Sequence, residues 1–163
     1  MEIIYMNIED LANTLIANKQ TVSVAEACTC GLLGSKLGSV SGSSKYFPGG
    51  VVAYTGGLKE SILGVPDNLA EQFGTVSEEM AIAMAKGVLK LTKTDYALST
   101  TGVTGPNAGK SGHPIGTFWI GFASKDGRSL AQKVQIDSDR NGNKEGAANA
   151  ALALLNENMI KNK

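Results

Sequence analysis

Short runs of small and β-branched residues alternate with stretches of helical spacing along this chain, and each run leads into a polar segment that carries glycine. The runs at 21–25, 49–54, 95–100 and 128–136 are followed by Glu26–Gly31, Tyr54–Lys59, Thr101–Gly112 and Asp137–Gly142. Repeated strand, loop and helix segments bury a sheet between helices, and the loops beyond the strand ends then gather along one edge. The order of segments therefore predicts both the fold class and the place where a ligand would bind.

Ile8, Leu11, Ala12 and Leu15 predict a helix over 8–18, with Asn7 as its N-cap and Glu9 and Asp10 in its first turn. Thr21–Ala25 reads as a buried strand, Glu26–Gly31 as a tight turn and Leu32–Leu37 as a helix that resumes from it. Residues 41–44 read as a loop and 49–54 as a second strand. Residues 55–64 read as a turn leading into a short helix, and Pro66–Asn68 open another that ends near Gly74. Ser77 followed by Glu78 and Glu79 caps a helix with Met80, Met84, Val88 and Leu91 on one face. Residues 95–100 form a third strand, and 115–123 with 128–136 form a hairpin through Lys125–Gly127. Residues 145–160 make the last helix, with Ala148, Leu152, Leu155 and Met159 facing inward. The expected architecture is α/β, a single domain over residues 1–163 built as a three-layer α/β/α sandwich with a mixed sheet.

Fifteen basic and fifteen acidic residues balance to a net charge of zero. A nucleic-acid or anionic-membrane binder needs a basic field, so neither partner is expected. The basic tail Lys161–Lys163 reads as a solvated helix end. No stretch approaches the ~20 apolar residues that span a bilayer. Residues 1–7 lack the basic start and cleavage site of a signal peptide, so the expected location is cytoplasmic. The twenty glycines exceed the usual ~7% share and point to tight turns and backbone-lined clefts.

Cys28, Thr29 and Cys30 fall at a helix start, where free N–H groups and the helix dipole favour an anion. That setting would also lower a thiol pKa, making either cysteine a candidate nucleophile; the alternative is a pair of buried, inert thiols. Tyr54 and Lys59 follow the second strand, close enough for both to enter one cleft, and a lysine against apolar walls can lose its proton and act as a base. Its other reading is a solvated helix lysine. Thr101–Gly109 has the glycine density of a phosphate-cradling loop and runs into Gly109-Lys110-Ser111, but Thr104 stands where the Gly-x4-Gly-Lys-Ser/Thr pattern of a nucleoside triphosphatase needs its first glycine. Arg140 could pair with a phosphate or with a carboxylate. Two thiols and His113 offer too few soft ligands at unsuitable spacing, so no metal or cofactor is expected.

Ala25–Gly31, Gly42–Ser44, Phe47–Tyr54 with Lys59, Val76–Glu78, Thr101–Pro106, Pro114–Trp119 and Ser138–Arg140 together resemble, in order, the CinA carboxyl-terminal domain family. The resemblance runs from about residue 7 to 160. It implies a nicotinamide-nucleotide amidohydrolase that converts nicotinamide mononucleotide and water to nicotinate mononucleotide and ammonia, in pyridine-nucleotide salvage. It also implies a catalytic serine supported by the tyrosine and lysine that match Tyr54 and Lys59. The family pattern in the first turn is Ala-Glu-Ser-Cys-Thr-Gly-Gly, and here the serine position is Ala27 and the first glycine position is Cys30. Alanine cannot attack a carbonyl. Cys28 or Cys30 would then have to serve as nucleophile, or the chain would be a pyridine-nucleotide-binding or regulatory module, or Ala27 would be an engineered change. The residues that match the family's binding loops are Thr29, Cys30, Gly31, Ser43, Ser44, Thr101, Gly102, Thr104, Gly105 and Arg140. An edge hairpin and a helix face rich in Ala and Met predict a homo-oligomer.

Overall fold

The computed structural model describes residues 6–160. The expectations for Met1–Tyr5 and for the tail Lys161–Lys163 lie outside the described residues. Helix α1 is Ile8–Asn18; the Asn7 side chain accepts from the Glu9 N–H, and the helix ends at Lys19 in a left-handed conformation. Strand β1, Val22–Glu26, leads through a turn to α2, Leu32–Gly38. A 3₁₀ turn at Ser43–Lys45 precedes β2, Gly49–Val52. Helices α3, Gly56–Leu63, α4, Leu69–Phe73, and α5, Glu78–Thr92, then carry the chain to β3, Tyr96–Gly102. Strands β4, Thr117–Ser124, and β5, Ser129–Gln135, form the hairpin, and α6, Arg140–Asn158, closes the fold.

The five strands lie in the order β2-β1-β3-β4-β5. Strand β1 runs parallel to both β2 and β3, while β4 and β5 add antiparallel, so the sheet is mixed as expected. Because β2 and β3 lie on opposite sides of β1, the connection between them crosses over it. This creates a topological switch point, and the carboxyl ends of β1, β2 and β3 open onto one crevice.

The two faces of the sheet are built differently. Val22, Val24, Leu98, Phe118, Ile120 and Phe122 pack with buried leucines of α1, α2 and α6. On the opposite face Ala25, Ala97, Ser99 and Gly121 are small, and α5 lies close against them. The Ser99 hydroxyl donates to the Ala81 carbonyl at 2.5 Å, and a Cβ at Gly121 would come within 2.3 Å of that same oxygen. The close approach of α5 therefore requires glycine there.

Among the differences from the sequence reading are two boundaries and one inward-facing residue. Strand β2 stops at Val52 rather than residue 54, because β1 ends at Glu26, its partner, and the Ala53 N–H then turns to the Glu26 carbonyl. Helix α6 begins at Arg140 rather than 145, capped by the Asp139 carboxylate, which accepts from the Gly142 N–H at 2.7 Å. Asn141, Gly142, Asn143 and Gly146 give this first stretch poor helical propensity, which hides it in the sequence. Leu91, expected on the inner face of α5, is exposed.

Candidate functional site

The crevice at the strand ends has two connected lobes. A small lobe of about 160 Å³ is lined by Ala27 and Cys28 after β1, Tyr54, Gly56 and Lys59 around α3, Thr75 and Val76 before α5, and Thr101 and Gly102 of β3. A larger, open lobe of about 510 Å³ is lined by the 102–111 loop, Ala70, Gly74 and Arg140. Tyr54, Thr75, Val76 and Gly102 belong to both.

The small lobe is set by burial. Cys28 is 6% exposed, and burial pushes its thiol up to about 12, with Thr100 and Lys59 opposing only part of that shift. The expected lowered thiol pKa is therefore corrected: Cys28 stays protonated near neutral pH. Lys59 is 4% exposed, and burial lowers its pKa, with attraction to Cys28 opposing. Its Nζ has no ion-pair or hydrogen-bond partner among the described residues and is not among their fully enclosed unpaired atoms, so it keeps contact with the open lobe. The solvated-lysine reading is excluded.

The start of α2 is already occupied. Glu26 is buried, and its carboxylate accepts from the Leu33 N–H at 2.8 Å, the Gly34 N–H at 3.0 Å and the Thr29 hydroxyl at 2.6 Å. The free N–H groups expected to receive a phosphate or oxyanion are thus neutralised from within the chain, a second correction. Thr29 is buried against Glu26 and Thr100 and lines neither lobe. Cys30 is exposed, with φ at 49° in the left-handed region, and also lies outside both lobes. Gly31 lines a separate shallow hollow with Val24, Glu26 and Phe47. Ser43 and Ser44 sit in the 3₁₀ turn away from the crevice, where the Ser43 hydroxyl reaches the Gly38 carbonyl at 3.5 Å.

The large lobe is set by hydrogen bonds. Arg140, the first residue of α6, donates from Nη1 to the Thr104 hydroxyl at 2.8 Å and to the Gly105 carbonyl at 2.5 Å, and from Nη2 to the Tyr54 hydroxyl at 3.3 Å. Asn143, one turn on and fully buried, donates from Nδ2 to the Thr104 carbonyl at 2.9 Å. Together they hold the strand-end loop against α6. Arg140 and Lys110 are the cations on this lobe's wall, and no carboxylate lines it. Such a wall suits a phosphate or carboxylate ligand.

Ala27, Cys28, Tyr54, Lys59, Thr101, Gly102, Thr104, Gly105 and Arg140 thus meet around one crevice. Thr75 and Val76 were not anticipated as lining residues; the Ser77 cap marks a helix start, but nothing in the sequence says that this start returns to the strand ends. The roles of Glu26 and Asn143 also depend on contacts across the chain.

A family model described as the CinA C-terminal domain matches residues 6–159. A nicotinamide-nucleotide amidohydrolase PncC of Enterobacter agglomerans is 39% identical over 153 residues, covering 94% of this chain and 93% of that protein. A CinA-like protein of Leptospira biflexa is 40% identical over 145 residues, 89% of this chain but 35% of that protein. The chain therefore spans about a third of the length of that relative. A CinA superfamily protein of Escherichia coli superposes with a TM-score of 0.89 at 30% identity, covering 97% of this chain and 96% of its own. A competence/damage-inducible protein of Agrobacterium tumefaciens gives 0.86 at 31% identity, covering 96% and 98%. With the mixed sheet, the crevice and these likenesses in agreement, the chain belongs to the CinA C-terminal domain family.

Proposed function

We propose that this chain binds a pyridine mononucleotide in the crevice and, with alanine at position 27, does not carry out the amide hydrolysis for which its Enterobacter agglomerans relative is named. The observation that carries this reading is the small-lobe wall, where the Ala27 methyl stands at the serine position of the family pattern and the neighbouring Cys28 thiol is held at about 12. A thiol in that state supplies almost no thiolate near neutral pH. The ligand's phosphate lies toward Arg140 and Lys110, and its nicotinamide ring enters the small lobe between Tyr54 and Lys59. The protein then acts as a nucleotide-binding or regulatory module. It works in the cytoplasm, where its two free thiols stay reduced.

Calorimetric titration with nicotinamide mononucleotide, run beside an ammonia-release assay, tests this reading. The expected result is binding without ammonia release above buffer. Release that Cys28→Ser abolishes would establish a thiol amidohydrolase instead, and absence of binding would sink the nucleotide reading altogether. Self-association belongs to the same proposal: Leu58 and Ile62, one turn apart on α3, are exposed, and so is Val52 of the edge strand β2. Light scattering should then give a mass above the 16.9 kDa of one chain.

A further inference from the structure

A lysine buried without an anion is unusual, because removing an ammonium from water is strongly unfavourable unless the charge is paired. Lys59 is 4% exposed, and neither a carboxylate nor a hydrogen-bond acceptor meets its Nζ among the described residues. It nevertheless lines the small lobe rather than packing into the closed core. The groups around it are otherwise engaged or inert. The Thr101 hydroxyl donates to the Thr75 carbonyl at 2.6 Å, the Tyr54 hydroxyl lies 3.3 Å from Arg140, and Ala27 presents a methyl. The lobe it lines shares Tyr54, Thr75, Val76 and Gly102 with a second lobe whose cations are Arg140 and Lys110.

We propose that Lys59 Nζ is a nucleophilic amine that condenses with the carbonyl carbon of a small phosphorylated aldehyde, the phosphate being held in the large lobe by Arg140 and Lys110. The chemistry requires the neutral amine, the form that burial of Lys59 favours. The Nζ lone pair adds to the carbonyl carbon, and the C–O π pair moves to oxygen. The two hydrogens of the amine and the carbonyl oxygen then leave as one water, giving a carbon–nitrogen double bond. No oxidant, metal or second substrate enters the balance. This activity goes beyond nucleotide binding and does not involve the missing serine.

Pyridoxal 5′-phosphate is a suitable probe because it carries an aldehyde and a phosphate, and sodium borohydride reduces the resulting imine to a stable amine. The intact protein is treated with substoichiometric probe, reduced, digested and mapped by mass spectrometry, with unphosphorylated pyridoxal as the second arm. Lys59 should be labelled about tenfold faster than any exposed lysine, and pyridoxal should label it about tenfold less readily than its phosphate, as one charge-assisted contact provides. Lys59→Met should remove that adduct and leave surface labelling unchanged. Labelling spread over exposed lysines with Lys59 unmodified overturns the proposal, and equal labelling by the two aldehydes overturns its phosphate half. The wild-type map decides the first point even where Lys59→Met does not fold. Nucleotide binding is read separately by calorimetry, so failure of either reading leaves the other standing.

Discussion

The two lobes of the crevice share walls but are governed by different physics. In the small lobe, Cys28 and Lys59 come from segments on either side of β2, and burial fixes their proton states: thiol up, amine down. In the large lobe, Arg140 is exposed, and its side chain is placed by hydrogen bonds to Thr104, Gly105 and Tyr54. The first region holds poised groups with few polar partners, and the second holds a fixed charge that stays available to an anion. A recognition lobe can therefore remain serviceable when its neighbour has lost a reacting atom, because no polar contact of Arg140 runs through Ala27.

The sharpest way to break this contrast is to restore the missing hydroxyl. Ala27→Ser should raise ammonia release from nicotinamide mononucleotide by about 100-fold or more over the parent, the scale on which a positioned base acts, while calorimetry shows affinity changed little. A variant that stays silent would show that the small lobe lacks more than its nucleophile. On the other side, Arg140→Met should weaken nucleotide affinity by roughly 10- to 100-fold, the value of one or two hydrogen bonds to a charged group. Binding of the matching nucleoside, which lacks the phosphate, should change by less than about threefold; an equal loss would mean that Arg140 supports the loop rather than the ligand.

Glu26→Gln probes the filled start of α2. The amide keeps one accepting oxygen and puts an NH2 donor in place of the other, so one of the Leu33 and Gly34 N–H groups loses its partner. Denaturant unfolding should show a loss of about 2 kcal/mol.

Lys59 gives a pH signature. Its folded pKa lies below the unfolded value of about 10.4, so between the two the unfolded chain holds the proton and the folded chain does not. Stability contributed by this site therefore rises with pH across that window and is complete above the unfolded value. Lys59→Met should remove the rise: the variant is the more stable protein below the window, and the gap narrows above it. A constant difference across pH would contradict the placement of Lys59 in a desolvated lobe.

The smallest effect is expected at Cys30→Gly. A non-glycine residue at φ 49° costs about 1 kcal/mol or slightly more, and glycine's looser unfolded state offsets part of the relief. A net gain of about 0.5 kcal/mol in thermal or chemical unfolding would connect this strain to the glycine in the family pattern.

How much was legible beforehand differs from segment to segment. Asn7 and Ser77, with acidic first turns behind them, placed α1 and α5 because a cap and its helix are neighbours in sequence. The start of α6 was missed because Asn141, Gly142 and Gly146 are poor helix formers locally, yet a Cβ at Gly142 would strike Ser138 and one at Gly146 would strike Ile136. Tertiary packing overrode propensity there.

For the site, the alternation of strands, glycine-bearing loops and helices determined which segments would meet, since chain order in an α/β sheet fixes which loops lie beyond the strand ends. The sequence by itself also determined the absence of a serine at position 27. Only the tertiary structure decided that Glu26 fills the α2 start, that burial raises the Cys28 thiol pKa, that Lys59 is buried without an anion and that Arg140 is tied to the Thr104–Gly105 loop. Those properties depend on which distant atoms exclude water or lie within hydrogen-bond reach, and residue identity and spacing along the chain do not carry that information.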